Sequence, residues 1–272
     1  MKLCVTSWSF PKLGLDEAGR VAAALGLEGL DVGYFYAASL DRARVLDDPE
    51  AYGAEIAGRL PVAVSNLYHL FGADPGERNL AGMADPRNPA DLKAALAFAR
   101  AAGAPTVFVL PGLVNPGQDR RAALAASAEA LKPMAEAAAA AGVTLTVEPH
   151  VHSYLETPEL AAELVERVPG LKLTLDPAHF VCLGYRQAEI EALCPHTAHV
   201  HLRQARPGVL QAKMEEGTIN FPAFLGALAA AGYSGWLAIE YVHQPYMATV
   251  YDDVLSETVK MRDAVRGWLA AR

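Results

Sequence analysis

The chain alternates between short apolar runs and longer Ala- and Leu-rich stretches. The short runs are too brief for helices and predict eight β-strands, at Leu3–Ser9, Gly29–Val32, Val62–Asn66, Thr106–Leu110, Thr144–Glu148, Lys172–Asp176, Ala198–His201 and Leu237–Glu240. The longer stretches have helical period, at Asp91–Ala102, Arg121–Ala141, Pro158–Val168, Phe221–Ala231 and Val254–Ala271. The pattern therefore predicts a βα unit repeated eight times.

Residues at the predicted helix ends agree with this alternation. Thr157 before Pro158 is typical of a helix start, and Gly142, Gly170 and Gly232 follow helices as stops. No linker or shift in composition interrupts the 272 residues. The chain is therefore predicted to be a single α/β domain over residues 1–272, a (β/α)₈ TIM barrel, with an open doubly wound sheet as the alternative.

Residues of metal-ligand type end the last four predicted strands. They are Glu148, Asp176, His201 and Glu240, which we call the strand-end set. Because the carboxyl ends of parallel strands meet on one face of the barrel, these side chains are expected to converge. Three carboxylates and one imidazole suit Mn²⁺, Mg²⁺ or Co²⁺ better than a structural zinc. We expect one divalent metal ion, Mn²⁺ first, although a lone strand-end carboxylate is also often a helix N-cap.

The choice of the histidine ligand leaves an alternative. His199 and His201 lie two residues apart, so the alternation of a strand puts both on the same face. His201 is nearer the end of its strand, which favours it over His199.

Other residues near the predicted strand ends are candidates for binding the substrate. His179 follows Asp176 by three residues, His150 follows Glu148 by two, and His69 ends the third strand region. Arg203 follows the seventh strand and could grip a carboxylate or phosphate, as could Arg206 and Lys213 in the next loop. Trp8 could form an apolar wall, whereas Trp236 starts its strand and is assigned to the opposite end of the barrel.

Composition and missing motifs exclude several classes. The net charge of −8 disfavours nucleic acid, and no Gly-x-Gly-x-x-Gly or Walker motif indicates a nucleotide. No apolar run approaches the roughly 20 residues needed to cross a membrane, and no signal peptide is recognised. Three cysteines without a C-x-x-C pattern fit a reducing compartment. We expect a cytoplasmic protein acting on a small sugar or polyol-derived substrate.

Five segments carry a resemblance to a known superfamily. They are Val147-Glu148-Pro149, Leu175-Asp176-Pro177-Ala178-His179, His199-Val200-His201-Leu202-Arg203, Gly217-Thr218-Ile219-Asn220-Phe221 and the run from Gly232 to Glu240. With them the chain resembles the xylose isomerase-like TIM-barrel superfamily, the sugar phosphate isomerase/epimerase family. The resemblance implies that the strand-end set binds one metal ion and that Glu148 and Glu240 are the catalytic proton-transfer pair. It also matches His179 to the epimerases' substrate-contacting histidine, and relatives are often homo-oligomers.

The chain departs from this superfamily at two places. Arg203 and Gln204 stand where many relatives have Lys-Asp, and the loop after Glu148 lacks the Asn-Arg pair of a typical ketose epimerase. Endonuclease IV, another member, needs three zinc ions, and Val109 and Leu110 offer no ligand for them at the fourth strand. The DNA-repair function is therefore set aside.

Three functions remain open on the sequence. The leading hypothesis is a metal-dependent isomerase or epimerase that moves a proton of a keto-sugar or related hydroxy-ketone through an enediolate. The alternative is a lyase or dehydratase on a keto-cyclitol or keto-sugar, similar to inosose dehydratase, with a loop histidine as general acid. The third is a non-catalytic sugar-binding or partner subunit, which would have no use for two paired glutamates.

Overall fold

Eight parallel strands close into a barrel in the computed structural model, which describes residues 1–251 and 253–271. The barrel strands are β1 (Lys2–Thr6), β2 (Gly29–Val32), β3 (Ala63–Tyr68), β4 (Thr106–Val109), β5 (Thr144–Val147), β6 (Lys172–Leu175), β7 (Thr197–Leu202) and β10 (Trp236–Ile239). Between β7 and β10 lie two further strands, β8 (Gln204–Arg206) and β9 (Val209–Ala212). β8 and β9 form a separate antiparallel hairpin, while β10 pairs with both β7 and β1 and closes the barrel. The single-domain TIM barrel is confirmed, and the open sheet is wrong.

Ten helices surround the barrel within the described residues. They are α1 (Leu15–Ala24), α2 (Arg42–Asp47), α3 (Pro49–Arg59), α4 (Arg87–Ala102), α5 (Arg120–Ala141), α6 (Pro158–Arg167), α7 (Pro177–Cys182), α8 (Gln187–Glu191), α9 (Phe221–Ala230) and α10 (Val254–Ala270). None of them is long and apolar enough to cross a membrane.

Two helix ends show how local sequence chemistry sets the boundaries. The Thr157 hydroxyl accepts a hydrogen bond from the Leu160 amide at 3.1 Å, and Pro158 occupies the first position of α6. Gly142 ends α5 with φ of 72°, a left-handed conformation that costs a glycine little. Both features agree with the sequence prediction.

The ends of the first and third strands differ from the predicted ones, and one hairpin is additional to the prediction. The first strand ends at Thr6, because a hydrogen bond of 2.7 Å between the hydroxyls of Thr6 and Ser9 closes a 3₁₀ turn there. The third strand runs on to Tyr68, since polar Asn66 is buried inside the barrel and accepts a hydrogen bond from Thr106. The β8–β9 hairpin was not predicted, and Gly208 provides its turn with φ of 77°.

Trp236 packs at the amino end of β10, as the sequence indicated. Its ring lies with Cys4 and Ala238 in a small buried cluster, and the Lys2 ammonium sits 5.1 Å from the ring centroid. A Cβ atom added to Gly29 would come within 2.8 Å of this ring and 3.0 Å of the Ser65 Cβ. The tryptophan therefore limits the size of its neighbour on β2.

A Gly29→Ala substitution is expected to destabilise the protein by about 1–3 kcal/mol, because the added methyl overpacks against a ring held in the barrel. Urea unfolding measures the difference. The control is Gly58→Ala on the exposed face of α3, where no atom lies within 4 Å of the new methyl and the change should stabilise by about 0.5–1 kcal/mol. A Gly29→Ala variant as stable as the parent would show that the Trp236 ring moves freely.

Candidate active site

A cavity of about 250 Å³ opens at the carboxyl ends of the barrel strands. One wall is polar and contains Glu148, His150, Arg203 and Glu240. The other wall is aromatic and contains Trp8, Phe35 and Tyr68. Ligands of TIM barrels bind at this face, so the cavity is the candidate active site.

Three members of the strand-end set meet in this cavity. The Nδ1 atom of His201 lies 2.7 Å from Glu148 Oε1 and 3.3 Å from Glu240 Oε2. One ligand atom from each of the three residues falls within 4.8 Å of the others. Strands β5, β7 and β10 therefore place two carboxylates around one imidazole nitrogen.

The fourth member, Asp176, has a double role in the structure. Its Oδ1 accepts a hydrogen bond from the Ala178 amide at 2.8 Å and so caps α7. Its Oδ2 lies 2.7 Å from Arg203 Nη2. The sequence allowed Asp176 to be either a helix N-cap or a site residue. In the structure Oδ1 caps the helix, and Oδ2 faces the site.

Arg203 is buried between two carboxylates of the site. Besides Asp176, its Nη2 approaches Glu240 Oε2 at 3.3 Å. Neither contact has hydrogen-bond geometry, because Asp176 Oδ2 and Glu240 Oε2 both remain without a hydrogen-bond partner in the described part of the chain. The guanidinium therefore offsets their charge without satisfying their lone pairs.

The residues fit a hard divalent cation. Glu148, His201 and Glu240 bring ligand atoms within 4.8 Å of one another, and Asp176 adjoins this group through Arg203, with one oxygen each of Asp176 and Glu240 lacking a hydrogen bond in the described residues. Oxygen-rich sets with one imidazole suit Mg²⁺ or Mn²⁺, and thiolates, which would favour zinc, are absent from this cluster. A divalent cation would also offset the excess of carboxylates over the single guanidinium.

Electrostatics inside the site follow from this crowding. Burial raises the pKa of Asp176 above its ordinary value, against the opposing effect of Arg203. Burial acts on Glu240 in the same direction, but Arg203 and His201 outweigh it and lower that pKa. Burial disfavours a charged His201, yet Glu240 and Glu148 outweigh burial and raise the pKa of the imidazole well above 6.5.

The two histidines of β7 occupy different depths. His201 faces the cavity carboxylates, whereas His199 Nε2 lies 2.7 Å from Asp31 Oδ2 deeper in the barrel. Both rings are fully buried, and their centroids are 5.3 Å apart. The height along the strand, which guided the choice of His201, also separates the two rings in the structure.

Trp8 joins the aromatic wall to the polar one. Its Nε1 donates a hydrogen bond of 2.7 Å to Glu240 Oε1, and its ring packs edge-on against Phe35 and Tyr68. The indole thus orients one carboxylate while covering the cavity with apolar surface. The sequence had placed only its apolar role.

His150 and His179 stack beside Glu148, with ring centroids 4.0 Å apart. Nδ1 of His150 lies 2.8 Å from the Val151 carbonyl, so this nitrogen carries the proton and donates. The neutral His150 ring then has a lone pair at Nε2. Tyr246, from the loop after β10, donates to the same carbonyl at 2.9 Å and packs over His150.

His179 faces hydrogen-bond donors on both sides. The Val151 amide donates to its Nδ1 at 3.3 Å, while Arg203 Nη2 lies 3.0 Å from its Nε2. Burial lowers the pKa of His179 well below 6.5, and a neutral imidazole has only one accepting nitrogen. In either tautomer of neutral His179, one ring nitrogen therefore carries a proton that faces another N–H group, either the Val151 amide or the Arg203 guanidinium. An oxygen placed between His179 and Arg203 would accept from both.

His69 lies outside the cavity, although the sequence made it a substrate-binding candidate. It is fully buried, with Nδ1 3.2 Å from the Tyr34 hydroxyl and its ring against Phe71. Strand β3 runs past the predicted strand end, so this histidine follows Tyr68 and packs beneath a loop. Arg206 and Lys213 are exposed and also outside the cavity lining.

Sequence reasoning missed three residues that shape this region. Asp31 sits inside the barrel between Leu30 and Val32, and a lone carboxylate in an apolar strand was an available signal. Tyr68 stacks on Phe108 with centroids 4.1 Å apart, and Tyr246 comes from a distant loop. No local pattern distinguishes these two tyrosines from ordinary surface or core aromatics.

Comparison with known proteins agrees with the fold. A family model described as a xylose isomerase-like TIM barrel matches residues 20–270. A putative hydroxypyruvate isomerase of Homo sapiens is 30% identical over 267 residues, 90% of this chain and 89% of that protein. A 2-oxo-tetronate isomerase of Cupriavidus necator is 27% identical over 236 residues, 76% of this chain and 85% of that protein.

Among solved structures, D-psicose 3-epimerase with D-tagatose from Clostridium cellulolyticum H10 superposes with a TM-score of 0.76 at 17% identity, covering 99% of each chain. The chain belongs to the xylose isomerase-like TIM-barrel family. It is an enzyme, and the relatives that match most of its length are named isomerases. The binding-subunit hypothesis is therefore wrong.

Removing the Arg203 charge is expected to destabilise the protein in EDTA. An Arg203→Met variant removes the buried cation beside Asp176 and leaves Glu240 with His201 alone, which costs about 3–5 kcal/mol. Millimolar Mg²⁺ should restore more stability to the variant than to the parent. Urea unfolding with and without the metal measures both effects.

The control is Arg206→Met, which removes an exposed arginine of the neighbouring hairpin. It should change neither the stability in EDTA nor the stability gained on adding Mg²⁺. Equal stability of Arg203→Met and the parent in EDTA would mean that solvent already compensates the two carboxylates.

His69 is expected to make the protein sensitive to acid. Burial, together with Arg42 and Arg78, lowers its pKa from 6.5 to about 3. Below pH 6.5 the unfolded chain binds a proton that folded His69 does not, so stability falls by up to about 1.4 kcal/mol per pH unit. Urea unfolding of a His69→Gln variant between pH 7 and pH 4 should show a shallower decline.

His196→Gln, at a half-buried histidine outside the cavity, is the control for losing an imidazole. Parallel pH curves for the parent and His69→Gln would show that His69 is charged in the folded state.

Proposed function

We propose that this enzyme is a divalent-metal-dependent isomerase of short 3-hydroxy-2-oxo acids, which moves the carbonyl group between neighbouring carbons through an enediolate. The carrying observation is that Glu148 and Glu240 line one cavity with His201 Nδ1 between their oxygens. Relatives that match most of the chain are named for hydroxypyruvate and 2-oxo-tetronate, which belong to this substrate class.

The cavity size supports a small substrate. Its volume of about 250 Å³ lies below the roughly 300–1,000 Å³ of drug-sized ligand pockets. Three- or four-carbon acids fit this space better than a hexose. The aromatic wall of Trp8, Phe35 and Tyr68 would cover the C–H side of such a substrate and exclude water.

The strand-end set is proposed to hold the metal, with Mn²⁺ as the first candidate. When bound there, a divalent cation would polarise the substrate carbonyl and stabilise the enediolate charge. His201 would bind through Nδ1, the nitrogen nearest the two glutamates. Asp176 would bind through Oδ2, which lacks a hydrogen bond in the described residues.

The proton transfers are assigned to the two glutamates. One carboxylate removes the proton from C3 of the oxo acid and forms the enediolate, and a proton is then delivered to C2. The hydroxyl proton moves from the C3 oxygen to the C2 oxygen, so the atoms balance. Glu240 is oriented by Trp8, while Glu148 has only the His201 contact among its described hydrogen-bond partners and is the freer base.

Arg203 and His179 are proposed to bind an oxygen of the substrate, with the carboxylate as the best match. Arg203 directs an N–H at His179 Nε2 at 3.0 Å, and this nitrogen is itself a donor in the tautomer whose Nδ1 accepts from the Val151 amide. A carboxylate can accept from an arginine N–H and an imidazole N–H together. His150 lines the same wall and would contact the substrate through its free Nε2.

A dehydratase is the second candidate function, favoured by the position of His150 in the cavity. Loss of water requires a general acid over the leaving hydroxyl. His150 holds its proton at Nδ1, directed at the Val151 carbonyl, and so offers a lone pair rather than a proton to the cavity. This geometry favours the isomerase.

The proposal also includes a cytoplasmic location, which agrees with three free, buried cysteines.

Proton exchange in D₂O tests the proposal. Mg²⁺-loaded protein with hydroxypyruvate or 2-oxo-tetronate should incorporate deuterium beside the carbonyl, seen by proton NMR. Glu148→Gln and Glu240→Gln should each lower the exchange rate about 10²–10⁴-fold, because each removes a proton-transfer group.

Glu156→Gln is the matched control, a carboxylate of the same loop that is paired with Arg120 outside the cavity lining. Exchange with neutral ketoses alone would overturn the acid substrate, and products lacking a water molecule would favour the dehydratase. No exchange with any substrate would overturn the enediolate chemistry.

A further inference from the structure

A layer of buried polar side chains lies beneath the cavity, inside the barrel. It is centred on Asp31 of β2, which is fully buried and not part of the cavity lining. Three other strands, β1, β3 and β7, direct polar atoms at this one carboxylate. A buried charge is costly unless it is paired, so this layer needs an explanation.

The two oxygens of Asp31 have different partners. Oδ1 accepts a hydrogen bond from the Ser65 hydroxyl at 2.5 Å and a longer one from the Cys4 thiol at 3.7 Å. Oδ2 lies 2.7 Å from His199 Nε2 and 3.4 Å from His201 Nε2. Oδ2 also accepts from the Asn66 amide at 3.5 Å, so both oxygens of the carboxylate are held by hydrogen bonds, and His201 lies beside it.

The charge of Asp31 is compensated inside the barrel. Burial would raise the pKa of this carboxyl, but the neighbouring His199 and His201 outweigh burial and lower it below its ordinary value. Ser65, Asn66 and His199 all present donor atoms to its oxygens, as a carboxylate that only accepts hydrogen bonds requires.

His201 spans the two layers. Its Nε2 lies 3.4 Å from Asp31 Oδ2 without hydrogen-bond geometry in the described residues, and its Nδ1 lies 2.7 Å from Glu148 Oε1. Because Nδ1 faces a carboxylate, it carries a proton; a metal ion bound at Nδ1 would replace that proton, and the remaining N–H would be at Nε2, beside Asp31. Metal-binding histidines almost always donate their other ring N–H to a carboxylate, a backbone carbonyl or water, which fixes the nitrogen that binds.

A metal ion at Asp31 itself is a weaker explanation. Cys4, Asp31 and His199 bring ligand-type atoms within 4.8 Å of one another. However, the Asp31 oxygens are already engaged by Ser65 and His199, and burial raises the pKa of the Cys4 thiol well above its ordinary value. The layer is built as a hydrogen-bond network rather than as an open site.

We propose that Asp31 is a positioning residue, which would accept the Nε2–H of His201 when Nδ1 binds the metal, and that His199 is a second donor that holds the Asp31 carboxylate in place. The inference rests on the proposed metal site and goes beyond the proposed reaction. His199 is then a support of the network and not an alternative ligand.

Direct Mn²⁺ titration followed by electron paramagnetic resonance tests this inference without substrate. Free Mn²⁺ gives a sharp signal that is lost on binding, so the titration gives both the stoichiometry and the dissociation constant. An Asp31→Asn variant keeps the shape of the side chain and removes its charge. Its Mn²⁺ dissociation constant should rise about 10–100-fold, the usual effect of losing a supporting carboxylate.

The matched control is Thr146→Val, which removes a buried hydrogen bond of 2.8 Å to Thr174 on the other side of the barrel interior. It should lower stability without changing the dissociation constant more than twofold. The absorption spectrum of Co²⁺-loaded protein is the second readout, because it reports ligand geometry. Asp31→Asn should change this spectrum, whereas a loss of charge alone would weaken binding and leave the spectrum unaltered.

Each outcome bears on the proposal. An Asp31→Asn variant that binds Mn²⁺ as the parent does, or binds it weakly with an unchanged Co²⁺ spectrum, overturns the positioning role while leaving the proposed function intact. A parent protein that binds no divalent metal overturns both. If Asp31→Asn does not fold, Ser65→Ala replaces it. This variant removes the Ser65 hydrogen bond to Asp31 Oδ1 and should weaken Mn²⁺ binding at least threefold. Unchanged binding would refute the inference.

Discussion

The site depends on the burial of three carboxylates at the carboxyl ends of β5, β6 and β10. Like charges repel, and their desolvation is costly, so cations must be held among them. Arg203 lies 2.7 Å from Asp176 and 3.3 Å from Glu240, and His201 lies 2.7 Å from Glu148. The arrangement leaves two carboxylate oxygens without hydrogen bonds in the described residues, which makes the cluster receptive to a further cation.

The same constraint links the upper and lower layers of the barrel interior. His201 touches the cavity carboxylates through one nitrogen and approaches Asp31 through the other. A change in the deep layer therefore reaches the cavity through a single ring. The closed barrel makes this coupling stiff, because β7 is held between β6 and β10 by parallel pairing along its length.

Specificity and chemistry use different walls of the cavity. The proposed acid–base residues lie on the polar wall, where Trp8 reaches across to hydrogen-bond Glu240. Arg203 and His179 adjoin this wall, and in the tautomer of His179 that accepts from the Val151 amide both present donors, which a bound oxygen would accept. Tyr246 covers His150 from the loop after β10, so the entrance is shaped by the last βα loop of the barrel.

The eight-strand alternation and the strand-end set could be read from the sequence, because periodicity and strand-end position are local properties. Asn66 and His69 show the limit: a polar residue looked like the end of β3, but it is buried by Asp31 and Thr106, and the strand continues. Only the closed barrel decided that Arg203 lies between Asp176 and Glu240, that Asp31 meets His199 across 168 positions, and that His69 lies outside the cavity. These contacts join residues far apart in the chain, and their distances are set by strand register and barrel closure, which no local pattern encodes.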